Sequence, residues 1–213
     1  MRWLRAISDK LQKLVWAQLA GRSPAENAFL LLIPVVGVVT GLASIGIAHL
    51  IAYSQNLLWG SGEHHLSAAA RFAWYWRVLI LAAGGGLVGL IGWLFRMEAA
   101  GQGTAGMIQA LALKGGEISL RQTLPRVLSG IVTVASGGSL GREGPMIQFA
   151  SAYGSYLGRR CNLTTQHLRI LVCCAASSAL AAVYNAPFGG TIFTLEILIG
   201  NFAPEIFGPV VIS

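Results

Sequence analysis

Apolar residues first recur at helical spacing along the chain and then merge into long unbroken runs. Between Trp3 and Leu19, Leu4, Ile7, Leu11, Leu14 and Val15 return every three or four positions with basic residues between them. That pattern predicts an amphipathic helix lying at a membrane surface. Asn27 to Ile51 carries no Asp, Glu, Lys or Arg and is long enough to cross a hydrocarbon core of roughly 30 Å, with Pro34 as a kink. The apolar run begins only at Ala28 and no small-residue cleavage site closes it, which argues against a cleavable signal peptide. Tyr53 to Trp74, holding Glu63, His64, His65 and Arg71, reads as an external loop. Val78 to Phe95 follows as a second span, and its Gly85, Gly89 and Gly92 predict close packing against another helix.

After Arg96 the pattern changes. Thr104 to Leu113, Leu124 to Ser136 and Pro145 to Leu157 are apolar but short, and glycine or proline breaks separate them. Interrupted segments of this kind predict discontinuous helices whose ends meet near the middle of a membrane. Core helices of a soluble protein are the alternative, and the long spans before and after them speak against it. Ile170 to Ile199 has Glu196 as its one acidic residue, and it divides at Asn185-Ala186-Pro187, where Pro187 predicts a new helix start. A further apolar segment, Phe207 to Ser213, closes the sequence. The expected organisation is a cytoplasmic or interfacial helix over residues 1–22 and a membrane region over 23–213, cut before a second half.

Composition agrees with the membrane setting. Of 213 residues, 54% are hydrophobic and 11% charged, and the mean hydropathy is +0.64; a soluble domain carries about 25% charged residues. The formal net charge of +7 raises nucleic acid as a partner. However, Arg2, Arg5, Lys10, Lys13 and Arg22 crowd the N-terminus, and no basic stripe with interleaved aromatics follows. Basic residues flanking a first span set its orientation, which places the N-terminus in the cytoplasm. Cys161, Cys173 and Cys174 have no metal-ligand spacing and leave an odd count, so they are read as reduced, packed residues. No metal or cofactor is expected. His49, within the first span, is read as a packed histidine.

The chemistry concentrates in Ser136 to Pro145, which sets Arg142 and Glu143 among glycines inside an apolar stretch. Gly144 and Pro145 predict a helix start, because a proline in the first turn lacks an N–H that has no partner there anyway. A helix N-terminus carries about half a positive charge and free N–H groups, so it attracts anions. Glu143 beside it is a tethered anion that competes with a diffusible one. Ionisable residues at membrane depth point to a transport pathway.

Gly141-Arg142-Glu143-Gly144-Pro145-Met146-Ile147-Gln148 resembles the G-R-E-G-P-x-x-Q motif of the CLC family of chloride channels and chloride/proton exchangers. Asn185-Ala186-Pro187, followed by Gly190, Phe193 and Glu196, is similar to that family's N-A-P-x-x-G-x-x-F-x-x-E segment. The resemblance implies an all-α polytopic membrane protein with broken helices, forming the first half of an inverted-repeat fold. It further implies transport of chloride as the carried ion, gated at Glu143 by voltage or pH, in a bacterial-type inner membrane. The family forms homodimers in which each subunit holds its own pathway. The absent half carries a further anion-binding loop and a pathway tyrosine, so residues 1–213 would supply part of one pathway.

Two departures from the family pattern bear on mechanism. The family's first anion-binding loop reads G-S-G-I-P, and this chain has Gly101-Gln102-Gly103-Thr104-Ala105 in register. Gln102 offers an amide donor in place of the serine hydroxyl. The resemblance thus assigns anion binding to Gly101, Gln102, Gly103, Gly141, Arg142, Glu143, Gly144 and Pro145. Exchangers carry a proton-accepting glutamate just after the position of Glu196, and here it is Ile197. Adjacent helical residues point about 100° apart, so Glu196 is a weak substitute on a proton path. Channel-like transport is expected, with proton-coupled exchange as the alternative.

Two rival motifs lead toward enzymes. Gly101 to Gly106 is a literal G-x-G-x-x-G, but a membrane-length run precedes it and Glu117 falls too early for a dinucleotide site. Gly137-Gly138-Ser139-Leu140-Gly141 is a literal G-x-S-x-G. A serine hydrolase built on Ser139 needs His167 as its base, with no later aspartate to orient it. The expectation is therefore a protein that is not an enzyme.

Overall fold

The computed structural model describes residues 24–60, 73–97, 103–200 and 204–213, and every regular element in them is helical. The expected surface helix over residues 1–22, most of the loop before Trp74, and Gly101 and Gln102 lie outside these residues.

Helix α1, Pro24–Trp59, has 36 residues and continues through Pro34. At 1.5 Å per residue it measures about 54 Å, well beyond the core of a bilayer. Tyr53 to Trp59 therefore extend the first span rather than open a loop. The following helices are α2 (Trp74–Leu94), α3 (Gly103–Leu113), α4 (Leu120–Ala135), α5 (Glu143–Arg160) and α6 (Thr165–Tyr184). They are succeeded by α7 (Pro187–Phe193), a π-helical turn over Thr194–Ile199, and α8 (Pro204–Ile212). Of the described helices, Phe29–Trp59, Trp74–Leu94 and Thr165–Tyr184 are long and apolar enough to cross a membrane. The short apolar segments are separate helices, as their glycine and proline breaks predict. Their ends extend past the apolar runs: α5 reaches 18 residues because Arg159 and Arg160 form its last turn, where basic side chains meet the negative end of the helix.

Helix α6 is the hub. Its residues Ile170 to Leu180 are buried, and α1, α5, α7 and α8 pack around it. The run Ala175-Ala176-Ser177-Ser178-Ala179 permits this, since small residues let helix backbones approach closely. Gly154 of α5 lies where a Cβ would come 2.9 Å from that of Ala175. Against α1, Thr40 and Ser178 share a 2.7 Å hydroxyl contact, so neither buried hydroxyl is left unpaired.

Close packing of α2 occurs at Gly84, where a side chain would collide with Ser136, while Gly85 and Gly89 face open space. Cys173 and Cys174 are buried free thiols as expected, but Cys161 is exposed at the end of α5. His49 is exposed on α1 rather than packed, because it lies on the face turned away from α6 and its neighbours.

Candidate functional site

Two helix ends of the same type aim the loops of the site. At the C-terminus of α4, Gly137 has φ +95°, a conformation open to glycine at little cost. The Gly138 N–H donates to Thr133 O at 2.8 Å and the Gly137 N–H to Val134 O at 3.2 Å, a Schellman ending. Helix α1 ties this end down from outside. Trp59 Nε1 donates to Ala135 O at 3.0 Å, and Gln55 Nε2 to Val134 O at 3.2 Å, so carbonyls that a helix terminus leaves open are bonded. At the C-terminus of α6, Asn185 takes the left-handed position with φ +53°, and the Ala186 N–H donates to Ala181 O at 3.1 Å. Pro187 then begins α7, as the Asn-Ala-Pro break predicts.

The start of α5 is seated by a glycine in α4: a side chain at Gly130 would strike the Pro145 ring. Arg142 is the N-cap and Glu143 lies in the first turn. Pro145 is buried beneath this turn, and Arg142 is exposed beside it.

These elements enclose an open cleft of about 980 Å³. Thr104 and Ala105 of the first turn of α3 line it, with Leu140, Gly141, Glu143 and Gly144 at the start of α5. Leu180 and Tyr184 come from α6, and Ala186, Gly189, Gly190 and Phe193 from around α7. Glu143 is the single acidic residue among these lining groups. The positive ends of α3 and α5 thus open onto one largely apolar cleft, an arrangement that favours an anion.

Glu143 bonds to neither of its sequence neighbours. The Tyr184 hydroxyl donates to its Oε1 in a short contact, and its Oε2 lies where a side chain on Gly141 would sit. Glycine at 141 is therefore a condition for this carboxylate position. Tyr184 is half exposed and its role was not legible from the motif alone. The available signal was its place immediately before Asn185, whose left-handed turn ends α6 toward the start of α5.

The structure thus brings Gly141, Glu143 and Gly144 together with the start of α3, the helix that Gly103 opens. Gly101 and Gln102 lie outside the described residues. Glu196 is elsewhere: it lines a separate cleft of about 470 Å³ with Gln166, Arg169, Cys173 and Ile197. The expected divergence of Glu196 and Ile197 is softened here, since both reach that cleft from a π-helical turn. A π turn holds more residues than an α turn, which narrows the angle between neighbours. Ser139 is exposed in the loop before α5. His167 stacks on Phe29 with ring centroids 4.5 Å apart. It lies 17 residues before Tyr184 on α6, roughly 25 Å along the helix, so the structure does not assemble a Ser139–His167 pair. No cluster of metal-ligating side chains is present among the described residues.

Residues 84–213 match the family model described as voltage gated chloride channel. Over 187 residues the chain is 35% identical to a ClcB-like protein of Ralstonia nicotianae, covering 84% of this chain and 42% of that protein. It is 32% identical to the voltage-gated ClC-type chloride channel ClcB of Citrobacter koseri, covering 86% of this chain and 44% of that protein. A solved structure of a slow cyanobacterial Cl⁻/H⁺ antiporter superposes with a TM-score of 0.68 at 23% identity, over 90% of this chain and 45% of the other. The chain spans under half the length of the curated relatives it matches.

Proposed function

The chain belongs to the voltage-gated chloride channel family, and from that premise we propose that it forms the first half of a pathway carrying chloride or a similar small anion across a membrane. The observation that carries this reading is the cleft where the starts of α3 and α5 meet and Glu143 is the acidic lining group. Glu143 acts in it as the gate. When ionised, its carboxylate competes with a diffusible anion for the N–H groups at the start of α5; when protonated, it ceases to compete. Gly141, Arg142, Gly144 and Pro145 shape that helix start, and Gly101, Gln102 and Gly103 complete the anion-binding set that the family motif implies. The partners are the lipid bilayer, the second half of the family fold and a second copy of the subunit. The membrane is a bacterial inner membrane with the N-terminus on the cytoplasmic side.

A specific observation keeps proton-coupled exchange as a second reading: a solved structure with the same fold is that of a Cl⁻/H⁺ antiporter. Channel-like transport is favoured because Ile197 stands where exchangers carry a glutamate, and Glu196 lines a different cleft from Glu143. The test of transport itself is chloride efflux from liposomes containing residues 1–213 joined to a second half of the family fold, hereafter the two-half protein. Efflux above that of protein-free liposomes is expected. Its absence in correctly assembled protein would remove the proposal.

A further inference from the structure

The structure assigns Tyr184 as the latch of the Glu143 gate: its hydroxyl competes with the N–H groups at the start of α5 for the ionised carboxylate, so that the ionised gate blocks an anion less often than it would without the hydroxyl. This inference rests on the reading of Glu143 as a gate. Both carboxylate oxygens are accounted for in the observed position. Oε1 accepts from the Tyr184 hydroxyl, and Oε2 fills the space above the Gly141 Cα. Neither is bonded to a backbone N–H of the first turn of α5 among the described residues.

The surroundings leave the tyrosine as the relevant donor. Helices α3 and α7 present no titratable side chain to the cleft, α6 presents Tyr184, and the turn entering α5 carries Arg142 nearby. Tyr184 is anchored as the last residue of α6, next to the left-handed turn at Asn185. That fixes where its backbone sits, and from there the half-exposed ring carries the hydroxyl to Glu143. A hydrogen bond to an ionised group is stronger than one between neutral groups. Without the hydroxyl, the donors left to the ionised carboxylate are the Arg142 guanidinium and the amides at the start of α5, and the amides are the groups an anion requires. Tyr184 is thus a positioning residue, acting on the anion through Glu143.

The test is a double-mutant cycle in the two-half protein, reading the ratio of chloride flux at about pH 7 to that at about pH 3, either side of the ordinary glutamate titration. Tyr184→Phe keeps the ring and its packing and removes the hydroxyl alone. It is expected to lower the ratio about tenfold or more, the effect of losing one hydrogen bond to a charged group. In a Glu143→Gln background, adding Tyr184→Phe should leave the ratio where Glu143→Gln alone puts it. If Glu143→Gln abolishes the pH dependence while Tyr184→Phe leaves the ratio at its original value, the latch is overturned and the gate stands. If Glu143→Gln leaves the pH dependence intact, the gate itself fails, and the latch with it.

Discussion

Gly190 of α7 lies against the backbone of Ala181 in α6, with space for a hydrogen and nothing larger: a Cβ there would come 2.7 Å from the Ala181 amide nitrogen and the same distance from Ser177 O. The atoms in the way are backbone, which cannot rotate aside as a side-chain tip can. This approach sets how α7 crosses the end of α6, and with it one wall of the Glu143 cleft.

Gly190→Val should therefore move α7 away from α6, at a cost of about 1–3 kcal/mol for an overpacked site. The expected outcome is a lowered Tm for the detergent-solubilised two-half protein, together with reduced chloride flux. A variant with unchanged Tm and flux would show that α7 tolerates displacement and does not position the cleft.

Residues 1–213 on their own are expected to support little efflux. The chain spans under half the length of its relatives, and the cleft holding Glu143 is open. Facing lipid, its polar groups lack partners at several kcal/mol each. Liposomes holding residues 1–213 alone should release chloride at close to the protein-free rate. Adding the second half of the fold should raise that rate severalfold. Robust efflux from the shorter chain would contradict the two-half account.

Proton coupling is tested by the reversal potential of the two-half protein under a pH gradient with equal anion concentrations on both sides. With Ile197 in place of an acidic residue and Glu196 in a separate cleft beside Arg169, a value near zero is expected. A displacement that follows the proton gradient would make the protein an exchanger, with protons reaching Glu143 by another route.

Much of this architecture is legible in the sequence because membrane burial and backbone breaks leave local signals. Asn185-Ala186-Pro187 encodes a left-handed helix ending followed by a proline start, and the structure has both. Glu143-Gly144-Pro145 likewise encodes the first turn of α5. Contacts between distant segments carry no such signal. Gly85, Gly89 and Gly92 carry the packing expected of α2, yet the close approach falls on Gly84, because the position of Ser136 after α4 decides which face is crowded. The first span runs past Ile51 to Trp59. Hydropathy falls after Ile51, but Gln55 and Trp59 stay helical to cap the carbonyls of α4. Tyr184 stands just before the Asn-Ala-Pro motif, and no local signal gives it a role, since its partner lies 41 residues away.

The most direct measurement of the central claim, that Glu143 is a tethered anion guarding the pathway, is chloride efflux as a function of external pH for the two-half protein and for Glu143→Gln. Efflux of the unmodified protein is predicted to rise as the pH falls and the carboxylate becomes neutral. Glutamine has the shape of the protonated acid and no charge to lose, so the variant should carry high flux at every pH, with the dependence abolished. A Glu143→Gln protein that keeps the original pH dependence would contradict the account and leave Glu143 as a structural partner of Tyr184.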